Sequence, residues 1–163
     1  QVAFMQKESS VAYKKLTPVG EANHNLYSGT FHIEGGNFNS AGMVSTSIKS
    51  ILKELGIPGD IVRRAAIVSY EAEINVVSYA KKGLVTLLVD AGSVNIEVKD
   101  EGPGIPNIEL AMQEGYSTAD QRIREMGFGA GMGLCNIKNY SDLFHIESEV
   151  GKGTHLKMII YTP

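Results

Sequence analysis

The 163-residue chain is 43% hydrophobic and 20% charged, which is the composition of an ordinary globular domain with one sizeable core. Its net charge of -3 gives no electrostatic basis for binding nucleic acid, and it has no basic run that would suggest an anionic membrane surface. The single Cys135 excludes an internal disulfide and a cysteine-cluster metal site, and no apolar stretch approaches a membrane span, so we expect a soluble, cytoplasmic protein.

The first 28 residues show no sustained hydrophobic period and are predicted to form an extension or a linker. One folded domain is predicted over residues 29–163, and it opens with a short strand at 30–34 and a turn at 35–37. A helix is then predicted over residues 41–55, because apolar side chains recur there at helical spacing and Gly56 follows as a stop signal.

A second, longer helix is predicted to begin at residues 58–60 and to end at residues 81–83. Asp60 suits its first turn and two lysines suit its last, because these charges oppose the helix dipole. An apolar stripe indicates its buried face: Ile61, Ala65, Val68, Ala72, Val76 and Ala80.

The second half of the chain combines strands with short helices. A hairpin is predicted from strands at 84–89 and 94–99, and two final strands are predicted at 145–150 and 155–161. Short helices are predicted at 108–113 and 134–142. Hairpin-linked strands with segregated helices indicate an α+β fold, with an antiparallel or mixed sheet and helices on one face.

An acid and a glycine turn follow the predicted strand at 94–99. Apolar residues occupy alternate positions from 94 to 98, and Asp100 continues their side of the strand. A carboxylate there is costly to bury without a hydrogen-bond donor, so the position predicts an acid that meets such a donor. Gly102 and Gly104 come next, and they allow the backbone to approach a ligand closely.

A second glycine-rich loop lies at residues 127–133, before the predicted helix at 134–142. Its sequence, GFGAGMG, exposes backbone N–H groups beside a positive helix start, and this arrangement predicts a phosphate-binding loop. A dinucleotide fingerprint is the weaker interpretation, because that motif needs a strand directly before it and an acid after the next strand. A glycine hinge without a ligand is disfavoured by the glycine turn upstream.

Glu71 and Asn75 lie four residues apart in the long predicted helix, and therefore on one face of it. Their oxygens are hard donors of the kind that Mg²⁺ takes together with nucleotide phosphates, and a glutamate can also accept the proton of an attacking hydroxyl. The alternative is that both are ordinary surface residues. Their neighbours Ala72 and Val76 belong to the apolar stripe, which places the pair at the edge of the buried face.

The order of these motifs resembles the Bergerat ATP-binding fold, which gyrase, the heat-shock chaperone, mismatch-repair and histidine-kinase ATPases share. The resemblance covers residues 30–161 and includes the turn at 151–154 before an apolar strand. Within that fold the chain looks most like bacterial anti-sigma factors and switch serine/threonine kinases, through DEGPGIP at 100–106, QEGYST at 113–118 and FGAGMGL at 128–134. The resemblance implies a two-layer α/β sandwich with a mixed, mostly antiparallel sheet.

The resemblance also implies a role for each motif residue. Glu71 is implied as the general base and Asn75 as the Mg²⁺ ligand. Asp100 is implied as the acceptor of the adenine amino group, and Gly104 as the position that lets the adenine lie against backbone. Gly129, Gly131 and Gly133 are implied to wrap the phosphates under a lid at 115–132, and Thr154 is implied to support the hydrogen bonds on the adenine side. The other implied nucleotide-binding positions are Gly102, Thr118 and Met132.

The implied activity is transfer of the γ-phosphoryl group of ATP, with Mg²⁺, to a serine or threonine of a partner protein. An anti-sigma-antagonist domain and a sigma factor are the implied partners, and a homodimer is the implied assembly. One alternative is a non-catalytic module in which ATP closes the lid to build a protein-binding surface. The other, less favoured, is a histidine-kinase catalytic domain cut from its dimerising part, since residues 1–28 do not supply the dimerising helix pair that precedes this domain in such kinases.

Overall fold

The computed structural model describes residues 9–14, 25–125, 129 and 131–163. Six strands form one sheet in the order β1-β5-β6-β4-β3-β2, and every neighbouring pair is antiparallel. The strands are β1 (Ser9–Lys14), β2 (Asn25–Glu34), β3 (Lys82–Asp90), β4 (Ser93–Glu101), β5 (Leu143–Glu149) and β6 (Gly153–Tyr161). The sheet, predicted to be antiparallel or mixed, is thus antiparallel in each described pair.

Five α-helices accompany the sheet in the described part of the chain. They are α1 (Met43–Glu54), α2 (Gly59–Tyr79), α3 (Ile108–Ala111), α4 (Gln121–Glu125) and α5 (Gly133–Tyr140). Helix α2 ends earlier than predicted, because Ala80 is extended and the N–H of Lys81 donates to the carbonyl of Glu101 at 2.8 Å. Within the described residues, no helix is both long and apolar enough to cross a lipid bilayer.

The hydrophobic core lies between one face of the sheet and helices α1, α2 and α5. Alternate residues of each central strand point into it, as Leu87 and Ile96 do, and Leu52 and Ile137 enter it from the helices. The other face of the sheet carries polar groups, such as the half-buried Glu97. The α+β prediction with two layers is therefore confirmed.

The N-terminal part of the chain contains more strand than its sequence pattern indicates. Strand β2 begins at Asn25, before the strand predicted at 30–34, and β1 lies within the predicted extension. Strand β1 pairs with β5, from Ser9 opposite Ser148 to Lys14 opposite Leu143. The partner strand lies more than a hundred residues away, so no hairpin pattern in the sequence indicates this pairing. The division of the chain between residues 28 and 29 stays a prediction.

A buried carboxylate joins the two long helices. The side chain of Glu73 in α2 is 2% exposed, and its oxygens accept hydrogen bonds from the backbone N–H groups of Val44 and Ser45, both at 3.1 Å. These N–H groups belong to the first turn of α1, where the helix has no partners of its own for them. Glu73 thus caps α1 and fixes its start against α2.

Candidate nucleotide site

Helix α2 presents Glu71 and Asn75 to the start of α5. A methyl group placed on Gly133 would lie 3.2 Å from Glu71 Oε2 and 3.4 Å from Asn75 Oδ1, so both side chains reach the first residue of α5. A side chain there would be in tight contact with the Glu71 carboxylate and in ordinary contact with the Asn75 amide. The pair that the sequence places on one helix face therefore meets the end of the predicted phosphate-binding loop.

Asp100 lies near the end of β4, and one of its oxygens meets a backbone donor. The N–H of Thr154 donates to Asp100 Oδ1 at 3.0 Å, whereas Oδ2 accepts no hydrogen bond from the described residues. Burial raises the pKa of Asp100 above its ordinary value, although the hydrogen bond from Thr154 acts in the opposite direction. A half-buried carboxylate with one unoccupied oxygen is suited to accept a hydrogen bond from a ligand amine.

The glycine turn after β4 packs directly on the turn between β5 and β6. Gly104 has a φ of 73°, and a side chain there would collide with the carbonyl oxygen of Glu149. Ser148 ties the two turns together, because its hydroxyl accepts from the N–H of Ile105 at 2.7 Å and lies 2.9 Å from the hydroxyl of Thr154. Gly102 completes this turn, since a methyl group there would lie 3.0 Å from Asp100 Oδ1.

A backbone hydrogen bond joins the two ends of the predicted lid. The N–H of Gly115 donates to the carbonyl of Gly131 at 2.9 Å, and a side chain on Gly131 would collide with the backbone of Gly115. Gly129 packs in the same way against the buried Ala119. Residues 127, 128 and 130 of the glycine-rich loop, and residue 126 before it, lie outside the described residues.

Two of the predicted binding positions are exposed and stay apart from the acids. The side chain of Met132 is 36% exposed immediately before α5, and Thr118 is exposed within the lid. No described contact joins either one to Glu71 or Asp100. Their assignment to nucleotide binding stays a prediction.

A groove of about 530 Å³ runs between α1 and α2 and ends at Glu71. Lys49 and Lys53 line it from α1, and Arg63 lines it from α2. Glu71 therefore borders both this groove and the start of α5. The described contacts of the Glu71 carboxylate face α5, whereas the residue itself also borders a groove that carries three cations.

Two site contacts were not anticipated from the sequence. Asn136 donates from Nδ2 to Glu71 Oε1 at 3.2 Å, and Thr154 acts on Asp100 through its backbone N–H. The Asn136 contact joins residues 65 positions apart, so no local spacing indicates it. The Thr154 contact does not depend on residue type, and the only signal for it is the glycine turn that brings Thr154 close to β4.

Comparison with known protein families gives a match over most of the residues that form the candidate site. The family described as Histidine kinase-, DNA gyrase B-, and HSP90-like ATPase matches residues 61–163, which include all but the first two residues of α2, the acid of β4 and the start of α5.

Individual relatives are moderately similar. The chain is 32% identical over 117 residues to the serine/threonine-protein kinase RsbT of Bacillus subtilis (strain 168), a match that covers 68% of this chain and 80% of that kinase. It is 33% identical over 109 residues to an anti-sigma F factor of Geobacillus sp. (strain WCH70), which covers 67% of this chain and 64% of that factor. It is also 39% identical over 80 residues to an anti-sigma F factor of Clostridium acetobutylicum, of which it spans 52%. The chain belongs to the family of histidine kinase-, DNA gyrase B- and HSP90-like ATPases.

Proposed function

We propose that this chain is a switch kinase, which binds ATP with Mg²⁺ and transfers the γ-phosphoryl group to a serine or threonine of a partner protein. The observation that carries the proposal is the meeting of Glu71 and Asn75 with Gly133 at the start of α5. A proton acceptor, an oxygen ligand and a phosphate-binding backbone then act at one place. The 32% identity to a serine/threonine-protein kinase supports the same activity.

The nucleotide is held at two ends of the site. Asp100 accepts the adenine amino group at its unoccupied Oδ2, and the close backbone at Gly102 and Gly104 forms the floor beneath the base. The phosphates lie on the N–H groups of the glycine-rich loop, with Thr118 in the lid above them. The loop positions that hold the phosphates are Gly129, Gly131, Met132 and Gly133.

The donor set fits Mg²⁺, which takes one or two protein oxygens and completes its shell with phosphates and waters. Asn75 Oδ1 supplies the protein oxygen, beside the carboxylate of Glu71. When bound, the ion neutralises charge on the phosphates during transfer.

The reaction moves one proton and one phosphoryl group. The hydroxyl oxygen of the partner forms a bond to the γ-phosphorus, the bond from that phosphorus to the β,γ-bridging oxygen breaks, and ADP leaves. Glu71 accepts the hydroxyl proton as the new bond forms. The amide of Asn136 lies 3.2 Å from one oxygen of this carboxylate.

The groove between α1 and α2 gives the partner a path to Glu71. Its cations, Lys49, Lys53 and Arg63, favour an acidic segment next to the phosphoacceptor. We assign to this path an anti-sigma-antagonist domain, with a sigma factor as a second partner of the protein, and the identity to anti-sigma F factors supports that assignment. A homodimer is proposed on the resemblance alone.

The test is transfer of radiolabel from γ-labelled ATP, with Mg²⁺, to purified antagonist domains. Label on a partner serine or threonine is expected with the wild-type chain and is expected to be lost with Asn75→Ala. Tight ATP binding that controls partner binding without any labelled product would instead assign the chain to the non-catalytic, ATP-gated class. That second candidate draws support from the backbone bond between Gly115 and Gly131, because it couples the lid to the glycine-rich loop.

Asp100→Asn is expected to separate stability from ATP binding. The asparagine keeps an acceptor for the Thr154 N–H but turns a donor towards the adenine amino group, so ATP affinity falls about tenfold to a hundredfold. Because the pKa of Asp100 is raised, this residue contributes stability that is present below about pH 4 and is lost as pH rises through the folded-state pKa. The variant lacks this loss and unfolds at equal or higher urea concentration at pH 7.

Isothermal titration with ATP and urea unfolding between pH 3 and 7 measure the two effects. Glu54→Gln, at the exposed end of α1 and outside the site, is the matched control and is expected to leave ATP affinity unchanged. Undiminished ATP affinity in Asp100→Asn would remove Asp100 from the adenine site.

A further inference from the structure

Asn136 is the only described residue whose side chain donates a hydrogen bond to Glu71. Its Nδ2 lies 3.2 Å from Glu71 Oε1, while Glu71 Oε2 faces Gly133. One oxygen of the carboxylate is therefore held by a hydrogen bond from the first turn of α5, and the other lies beside the first residue of that helix. The sequence motifs single out Glu71 but give Asn136 no role.

The position of Asn136 links the carboxylate to the glycine-rich loop. Gly133 and Asn136 are three residues apart and share one face of α5. The N–H of Asn136 donates to the carbonyl of Met132 at 2.8 Å, and the neighbouring Ile137 is fully buried in the core. One rigid helical turn thus carries the end of the loop and the donor to Glu71.

The chemistry of an amide suits this position. A lysine or arginine there would pair with Glu71 and stabilise its charge, which would weaken it as a proton acceptor. An amide orients the carboxylate without neutralising it. The second oxygen stays open towards Gly133 and Asn75.

We propose that Asn136 is a positioning residue, which sets the orientation of the Glu71 carboxylate and couples it to the glycine-rich loop. The inference rests on the proposed function, because it takes Glu71 as the general base. It predicts that removal of the amide slows transfer and leaves ATP binding unchanged, since small displacements of a reacting group cost about a hundredfold in rate.

Three substitutions and one control test the proposal. Asn136→Leu removes the donor at nearly constant volume, and Asn136→Asp places a second carboxylate beside Glu71. Asn136→Gln retains a donor on a longer side chain. Asn139→Leu is the matched control, because Asn139 lies on the same helix and its amide is 3.7 Å from the sulfur of Cys135 instead.

The kinetic result expected is a fall in kcat of about tenfold to a hundredfold in the leucine and aspartate variants, with KM for ATP and ATP affinity within about twofold of wild type. Asn136→Gln is expected to keep more of kcat than either, and Asn139→Leu to match the wild type. Full kcat in Asn136→Leu, or a loss of ATP affinity as large as its loss of kcat, would overturn the proposal.

A measurement without catalysis separates this inference from the proposed function. In nitrogen-15 NMR spectra of the ATP-free chain, the side-chain amide signal of Asn136 is expected to shift in Glu71→Ala, which removes its acceptor, and that of Asn139 is expected to stay in place. An unchanged Asn136 signal would overturn the proposal. If the wild-type chain transfers no label, the kinase proposal fails whatever Asn136 does. If Glu71→Gln abolishes transfer but Asn136→Leu is as active as wild type, only the positioning role fails.

Discussion

Glu71→Gln is expected to lower the rate of phosphoryl transfer about a hundredfold to ten-thousandfold, because it removes the proton acceptor. Glutamine keeps an oxygen for the Asn136 amide and nearly the same shape, so the contact with α5 survives. Asn75 and Asp100 are unchanged, and ATP affinity is expected to stay within about threefold of wild type. The variant is therefore expected to bind ATP and the partner protein without transferring label.

Single-turnover transfer and equilibrium ATP binding measure this separation. Glu54→Gln provides the control, because Glu54 is an exposed carboxylate at the end of α1 and lies outside the site. Transfer by Glu71→Gln at the wild-type rate would show that another group accepts the proton. A parallel collapse of ATP affinity would show that Glu71 acts in binding.

Glu73→Ala is expected to reduce the free energy of unfolding by about 3 kcal/mol, because two buried N–H groups at the start of α1 lose a charged acceptor. The side chain is 2% exposed, so water does not replace the lost hydrogen bonds without opening the core. The first turn of α1 is expected to fray.

Urea unfolding followed by circular dichroism gives the size of the effect, and hydrogen exchange at Val44 and Ser45 gives its location. Glu54→Ala, on an exposed part of α1, is expected to change the unfolding free energy by less than about 0.5 kcal/mol. A comparably small change in Glu73→Ala would mean that the capping bonds contribute nothing net.

The contrast between Glu71 and Glu73 shows how far local sequence reasoning extends. Residues two positions apart in a helix point about 200° apart around its axis, so these acids face different neighbours. Glu71 turns to α5 and Glu73 to the start of α1. The spacing to Asn75 singles out Glu71, but nothing local indicates that Glu73 is buried, since its partners precede it by 28 and 29 positions.

Elements whose pattern is local were predicted well. Helix α2 and the hairpin of β3 and β4 follow from apolar periods of 3.6 and 2, and the structure has them within a few residues of the predicted bounds. The pairing of β1 with β5 was not predicted, because it depends on backbone groups more than a hundred residues apart. The sequence indicates that Asp100 meets a hydrogen-bond donor. Only the folded structure identifies the backbone N–H of Thr154 as such a donor.

The order of the sheet also sets an order of assembly. Both outer strands come from the first 34 residues of the chain, yet β2 pairs with β3 whereas β1 pairs with β5. The β2–β3 pairing closes a loop of modest length, while the β1–β5 pairing links residues as far apart as Ser9 and Ser148 and carries the larger entropic cost of closure. We therefore expect the first strand in the sequence to be among the last to join the sheet, and we expect the free edge of β5 to be open to strands from other molecules until it does.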